Sequence, residues 1–154
     1  TGIPEFGPPP TDIFVRHHLY IKNFKKSILM VAGSAAQKLM MTLAKEQEVL
    51  MNIADMMNWA YTAESLVLRV QKLHKAKGED AASIQLDMMQ TYVYSVADKI
   101  NIAGKEALNG FAEGDELKMM MLGMKRFTKV DPFNCKEARR RVADACNAKN
   151  EYCF

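Results

Sequence analysis

Apolar side chains recur at steps of three and four from Leu19 to Ala145, the spacing that lines up one face of an α-helix. The longest such run is Glu46 to Lys77. There Val49, Ile53, Met56, Met57, Ala60, Ala63 and Val67 make one stripe, continued by Val70 and Leu73. Leu50, Met51, Trp59, Tyr61, Leu66 and Leu68 widen it. A helix apolar over most of its circumference is expected to lie between several neighbours, so this segment is predicted to be the central helix of a bundle. At roughly 1.5 Å per residue it is about 45 Å long. Lys72, Lys75 and Lys77 suit the negative end of its dipole, and Gly78 is expected to cap it in the left-handed conformation.

The same pattern predicts four more helices. The first starts after Asp12, a capping residue, and buries Ile21, Phe24, Ile28, Val31, Ala32, Ala35 and Leu39, with Leu43 near its end. Its middle, Val31 to Ala36, is rich in small residues, and close approach of a neighbour is expected to offset the helix-propensity cost of Gly33. Lys45-Glu46-Gln47 marks the turn into the long helix. The third helix runs from near Asp80 to about Asn109, and Gly110 and Gly114 bracket a turn. The fourth starts at Asp115 and Glu116, turns Leu117, Met120, Met121, Met124 and Phe127 inward, and ends near Val130. That leaves Met119 and Leu122 facing outward. Asp131-Pro132-Phe133 breaks the chain. Asn134 and Glu137 then read as the capping box of a short fifth helix that buries Ala138, Val142 and Ala145. No strand pattern and no internal repeat are present. The prediction is an all-α fold: one antiparallel bundle of three long helices plus two shorter C-terminal helices over residues 13–154, preceded by a leader at residues 1–12.

Composition adds limits. The 154 residues suit one domain, with 49% hydrophobic and 25% charged residues. All five prolines fall at 4, 8, 9, 10 and 132, so the first ten residues read as an extended leader, and nothing between Thr11 and Asp131 removes a backbone donor. Twelve methionines suit either irregular core filling or an adaptable binding face, and the core is favoured. A net charge of +3 does not point to nucleic acid. No uncharged apolar run of 18 residues exists, so no membrane span is expected. The start lacks the pattern of a secretory signal and lacks Met, as a piece of a longer chain would. Cys135, Cys146 and Cys153 are odd in number, and on one helix the first two lie roughly 16 Å apart, beyond reach of a bridge. Reduced thiols and a cytoplasmic location are expected.

Catalytic patterns are not found. No histidine follows a glutamate by three, so the di-metal motif of helical bundles is missing. His17 and His18 diverge by about 100° on a helix and read as a solvated pair, and His74, among lysines, as a surface residue. The glycines match neither dinucleotide nor Walker spacing, and the serines lack the nucleophile-elbow context. Arg139, Arg140 and Arg141 point three ways, which favours solvent or salt bridges to a neighbouring helix over phosphate tracking. Trp59, Tyr92 and Tyr94 read as core. No residue is assigned as catalytic, cofactor-binding or metal-ligating.

Two segments carry a resemblance. Residues 23–56, NFKKSILMVAGSAAQKLMMTLAKEQEVLMNIADM, and residues 97–145, with KRFTKVDPF inside them, are similar to the C-terminal helical extension of long acyl-CoA dehydrogenases of Bacteroidetes-type bacteria. Very-long-chain acyl-CoA dehydrogenases share that architecture, and the leader GIPEFG resembles the linker after their catalytic core. None of these phrases is a catalytic motif. In the resembled enzymes FAD sits in a separate core, where a glutamate takes the substrate α-proton while hydride passes to the flavin. The core's SIFEGT-like signature is missing from this sequence. The resemblance therefore implies a non-catalytic domain that supports core packing or assembly of a homo-oligomer, with FAD held elsewhere in the full-length protein. Its implied partner is the dehydrogenase core of the same polypeptide, with peripheral membrane contact as a further one. The alternative is an independent helical module that binds a protein through its Met-rich fourth helix.

Overall fold

A computed structural model describes residues 10–150, and among them all regular structure is helical. Helix α1 spans Ile13–Leu39, α2 Gln47–Lys77, α3 Ser83–Phe111, α4 Gly114–Phe127 and α5 Cys135–Lys149. Short 3-10 turns, Met40–Lys45 and Asp80–Ala82, precede α2 and α3. The predicted start signals operate. Asp12 Oδ1 accepts a hydrogen bond from Val15 N–H at 2.8 Å, and Asn134 Oδ1 accepts one from Glu137 N–H at 3.2 Å. Glu137 completes only half of a capping box, since its carboxylate pairs with Lys136 and Arg140 instead.

The central helix is α3, not α2. Its buried residues include Met89, Val96, Ile100 and Leu108, and it packs against all four other helices. Helix α2 touches only α1, α3 and the two short turns. It therefore buries a single stripe, from Val49 to Val70, and leaves Met51, Met57, Tyr61 and Leu68 more than half exposed. The wide apolar surface of α2 predicts burial on several sides, but this fold covers only one. Helix α4 runs antiparallel to α1, as Lys38–Glu116 at 2.9 Å and the meeting of Met30 with Gly123 show. Helix α5 lies beside the N-terminal half of α3, fixed there by Arg141 and Asp87.

Several local expectations change. Helix α1 ends at Leu39, because Met40 turns to φ 44°, a conformation that strains any residue with a Cβ. Gly78 has φ 86° but ψ 172°, an extended conformation open essentially to glycine rather than the left-handed helical one. Gly110 is inside α3, and α4 stops at Phe127. Val142 and Ala145 are only half-buried. Methionine is not mainly core. Met56, Met89, Met120 and Met124 are buried, whereas Met40, Met41, Met51, Met57 and Met119 are exposed.

The close helix approach occurs at Gly104 rather than Gly33. A Cβ on Gly104 would stand 2.3 Å from Met124 Cε and 3.1 Å from Met56 Cε, with both methionines fully buried. On Gly33 it would meet nothing within 4 Å. Gly104→Val should therefore lose about 1–3 kcal/mol through overpacking. Gly33→Ala should gain about 0.5–1 kcal/mol from helix propensity alone. Urea unfolding of the two variants measures both signs.

Candidate functional site

The break after α4 folds back onto the first turns of α1, and this junction holds the densest polar cluster. Arg16 Nε and Nη2 donate to Pro10 O at 3.0 and 2.9 Å, while its Nη1 lies 3.7 Å from Asp131 Oδ2. Asp131 N–H donates to the Tyr20 hydroxyl oxygen at 3.2 Å. His17 is buried, with Nδ1 2.7 Å from Ile13 O, so Nδ1 carries the proton and donates it. Its ring meets Tyr20 edge-on. His17 is thus a core histidine rather than half of a solvated pair: α1 turns it inward, while His18 reaches Gln71 of α2 at 2.9 Å. His74 is half-buried and packs edge-on against Phe14 instead of standing in solvent.

Burial pushes the His17 pKa below 6.5, and the nearby Arg16 and His18 act in the same direction against the Ile13 hydrogen bond and Asp131. Burial raises that of Tyr20. Between these groups and Gln90, Tyr94 and Phe133 lies a recess of about 50 Å³. Small-molecule sites occupy roughly 300–1,000 Å³, so the recess is too small for a flavin or an acyl-CoA. Among the described residues no three His, Cys, Asp or Glu side chains are grouped to hold a metal ion. Arg16 is occupied by Pro10 and Asp131, which leaves this cluster a structural tie.

A second polar tie is stronger in geometry. Arg141 Nε and Nη2 each donate to one oxygen of Asp87 at 2.7 Å, a bidentate pair that joins α5 to α3. The hydrogen bond to Asp87 raises the Arg141 pKa further. Of the arginine triplet, Arg141 makes the interhelical bridge expected of a salt-bridged cluster, and Arg140 pairs locally with Glu137. Asn101 donates to Thr128, which in turn donates to Met124 O, tying the end of α4 to α3. No disulfide joins Cys135 to Cys146, and Cys153 lies outside the described residues, as does the leader at residues 1–9. Trp59 is half-buried with Lys99 Nζ 5.8 Å from its ring centre, and Tyr94 lines the recess rather than a base-stacking surface.

These ties generate two expectations. Because the folded His17 binds its proton less readily than the unfolded one, it favours folding above about pH 6.5, and that advantage is lost as pH falls. The melting temperature should fall between pH 6.5 and 5.5, and His17→Gln should flatten that slope. Arg141→Met, which leaves the buried Asp87 carboxylate unpaired, should lower the melting temperature more than Arg140→Met, whose partner is exposed; thermal scans by circular dichroism check this.

Comparison with known proteins identifies the fold. The family described as "Acyl-CoA dehydrogenase, C-terminal domain" matches residues 23–126. A "Probable acyl-CoA dehydrogenase" of Bacillus subtilis (strain 168) is 33% identical over 135 residues, which are 88% of this chain and 23% of that protein. The crystal structure of an acyl-CoA dehydrogenase complexed with FAD from Bacillus anthracis superposes with a TM-score of 0.90 at 32% identity, covering 95% of this chain and 26% of that one. The chain thus spans about a quarter of the length of these relatives. By matched sequence and fold, it belongs to the acyl-CoA dehydrogenase C-terminal domain family.

Proposed function

We propose that this chain is the non-catalytic C-terminal helical domain of a flavin-dependent acyl-CoA dehydrogenase. In that reading it supports the packing of the dehydrogenase core or the assembly of its oligomer. The observation that carries it is the match to the Bacillus anthracis enzyme: the fold agrees over nearly the whole chain, yet fills only a quarter of a protein complexed with FAD. The geometry agrees with a supporting role. The polar cluster at the α1 junction ties chain segments together and encloses a recess far smaller than a cofactor. FAD and the acyl-CoA substrate then belong to the remaining three quarters of the polypeptide, where the base and the flavin cradle reside.

Expression of this chain alone, of the preceding part alone, and of the intact polypeptide provides the test. The chain alone should be colourless after gel filtration and should not oxidise acyl-CoA. The preceding part should carry the flavin, and its melting temperature should rise when the helical domain is attached. Flavin absorbance that stays with the isolated chain, or an upstream reading frame that encodes no dehydrogenase, overturns the proposal and leaves the interaction-module reading.

A further inference from the structure

Among the described residues nothing covers the outer side of the α1–α2 hairpin. His18 bonds to Gln71, and Lys25 Nζ pairs with Glu64 at 2.6 Å, so the two helices run antiparallel in a fixed register. That register sets Leu29 beside residue 60 and Ala36 beside residue 53. On α2, Leu50, Ala54, Met57, Tyr61 and Leu68 follow at steps of four, three, four and seven, which is one stripe. It points away from the α3 side, where Trp59 meets Lys99. Tyr61 and Leu29 are 73% and 72% exposed, and at the tip of the hairpin Met41 reaches 92%. Between the exposed Leu29 and Ala36, Gly33 leaves open space above α1.

Two further observations show that this surface is not ordinary. The stretch Ile13–Lys45 reaches a mean hydropathy of 1.3 over 18 residues, enough by length and composition to cross a membrane, yet only 22% of that window is buried. Core helices of soluble proteins pass the same test because their apolar sides are covered. Here Leu29, Ala36, Met40 and Met41 of that stretch stand exposed. At the tip, Met40 holds a positive φ, a strained conformation for a residue with a Cβ.

We infer that the outer α1–α2 surface is where this domain docks on the dehydrogenase part of its own polypeptide, through an apolar patch around Leu29, Met57 and Tyr61 flanked by a cationic end. This rests on the function proposed above. The occupant follows from length and charge. Three quarters of the relatives' length lies outside this chain, and that portion is tethered to it. Lys22, Arg69 and Lys72 stand exposed toward the α1 N-terminal end with no carboxylate partner among the described residues, so the opposing surface should be apolar with acidic groups at that end. The Glu64 carboxylate on this face is already paired with Lys25.

A protease site placed ahead of Thr1 in the full-length polypeptide tests the assignment. After cleavage the two pieces should stay together on gel filtration. Leu29→Glu with Tyr61→Glu should raise their Kd at least a hundredfold, whereas Ile102→Lys, an exposed site on α3, should change it less than threefold. Circular dichroism of the released chain controls for folding. A measurement that needs no variant is peroxide oxidation: Met41 and Met57 should react at least tenfold more slowly in the intact polypeptide than in the released chain. Pieces that remain together regardless of the double substitution, or equal oxidation rates, overturn this face while leaving the proposed function standing. Separation of the unsubstituted pieces overturns docking itself. Sedimentation and flotation of the released chain then identify a second copy or an anionic vesicle as the true occupant.

Discussion

Packing of α3 against all four other helices is the constraint on which the rest of the molecule depends. One helix supplies Met89, Val96, Ile100 and Leu108 to the interior, and each such side chain removed from water contributes roughly 1.5–3 kcal/mol. No single neighbour can cover so wide a surface. Helices α1 and α2 cover it along one side, and α4 and α5 divide the remainder between its C-terminal and N-terminal halves. The division explains why α4 and α5 do not touch each other. It also explains Gly104, the position where α3 makes room for the buried ends of Met124 and Met56.

Polar side chains fix what apolar burial leaves free. Hydrophobic contact is non-directional, so it holds helices together without choosing their register. Register comes from the interhelical bonds: Lys25 with Glu64 for α1 and α2, Lys38 with Glu116 for α1 and α4, and Asp87 with Arg141 for α3 and α5. The first two pairs are substantially exposed and contribute little stability each, so specificity is their main effect. The junction at Arg16, His17, Tyr20 and Asp131 does the same for the non-helical break. A chain segment without its own internal hydrogen bonds is secured there by side chains of α1.

Several charged groups of this domain tie helices together, and the recess at the α1 junction measures about 50 Å³. The domain's unusual feature is surface: a strained and exposed hairpin tip beside an apolar stripe that the fold leaves uncovered. The relatives this chain matches are about four times its length, and the proposed docking would cover that surface.

The sequence by itself determined the five helices, their all-α class, the caps at Asp12 and Asn134 and most of the inward stripes, though not Met57, Val142 and Ala145. These are set by spacing and by local hydrogen bonds, which need only neighbours within a turn or two. It also carried the family, through phrases such as KRFTKVDPF rather than through any site. Tertiary structure alone decided which helix is central. Met51, Tyr61 and Leu68 made α2 look enclosed, but periodicity counts apolar positions and cannot say how many neighbours arrive to cover them. The same ambiguity hid the inward turn of His17 beside the outward one of His18, since adjacent positions differ by about 100° and only packing chooses which points in. Gly33 and Gly104 are likewise indistinguishable in sequence. Whether another helix crosses above a glycine depends on the path of a distant segment, and here that path runs over Gly104.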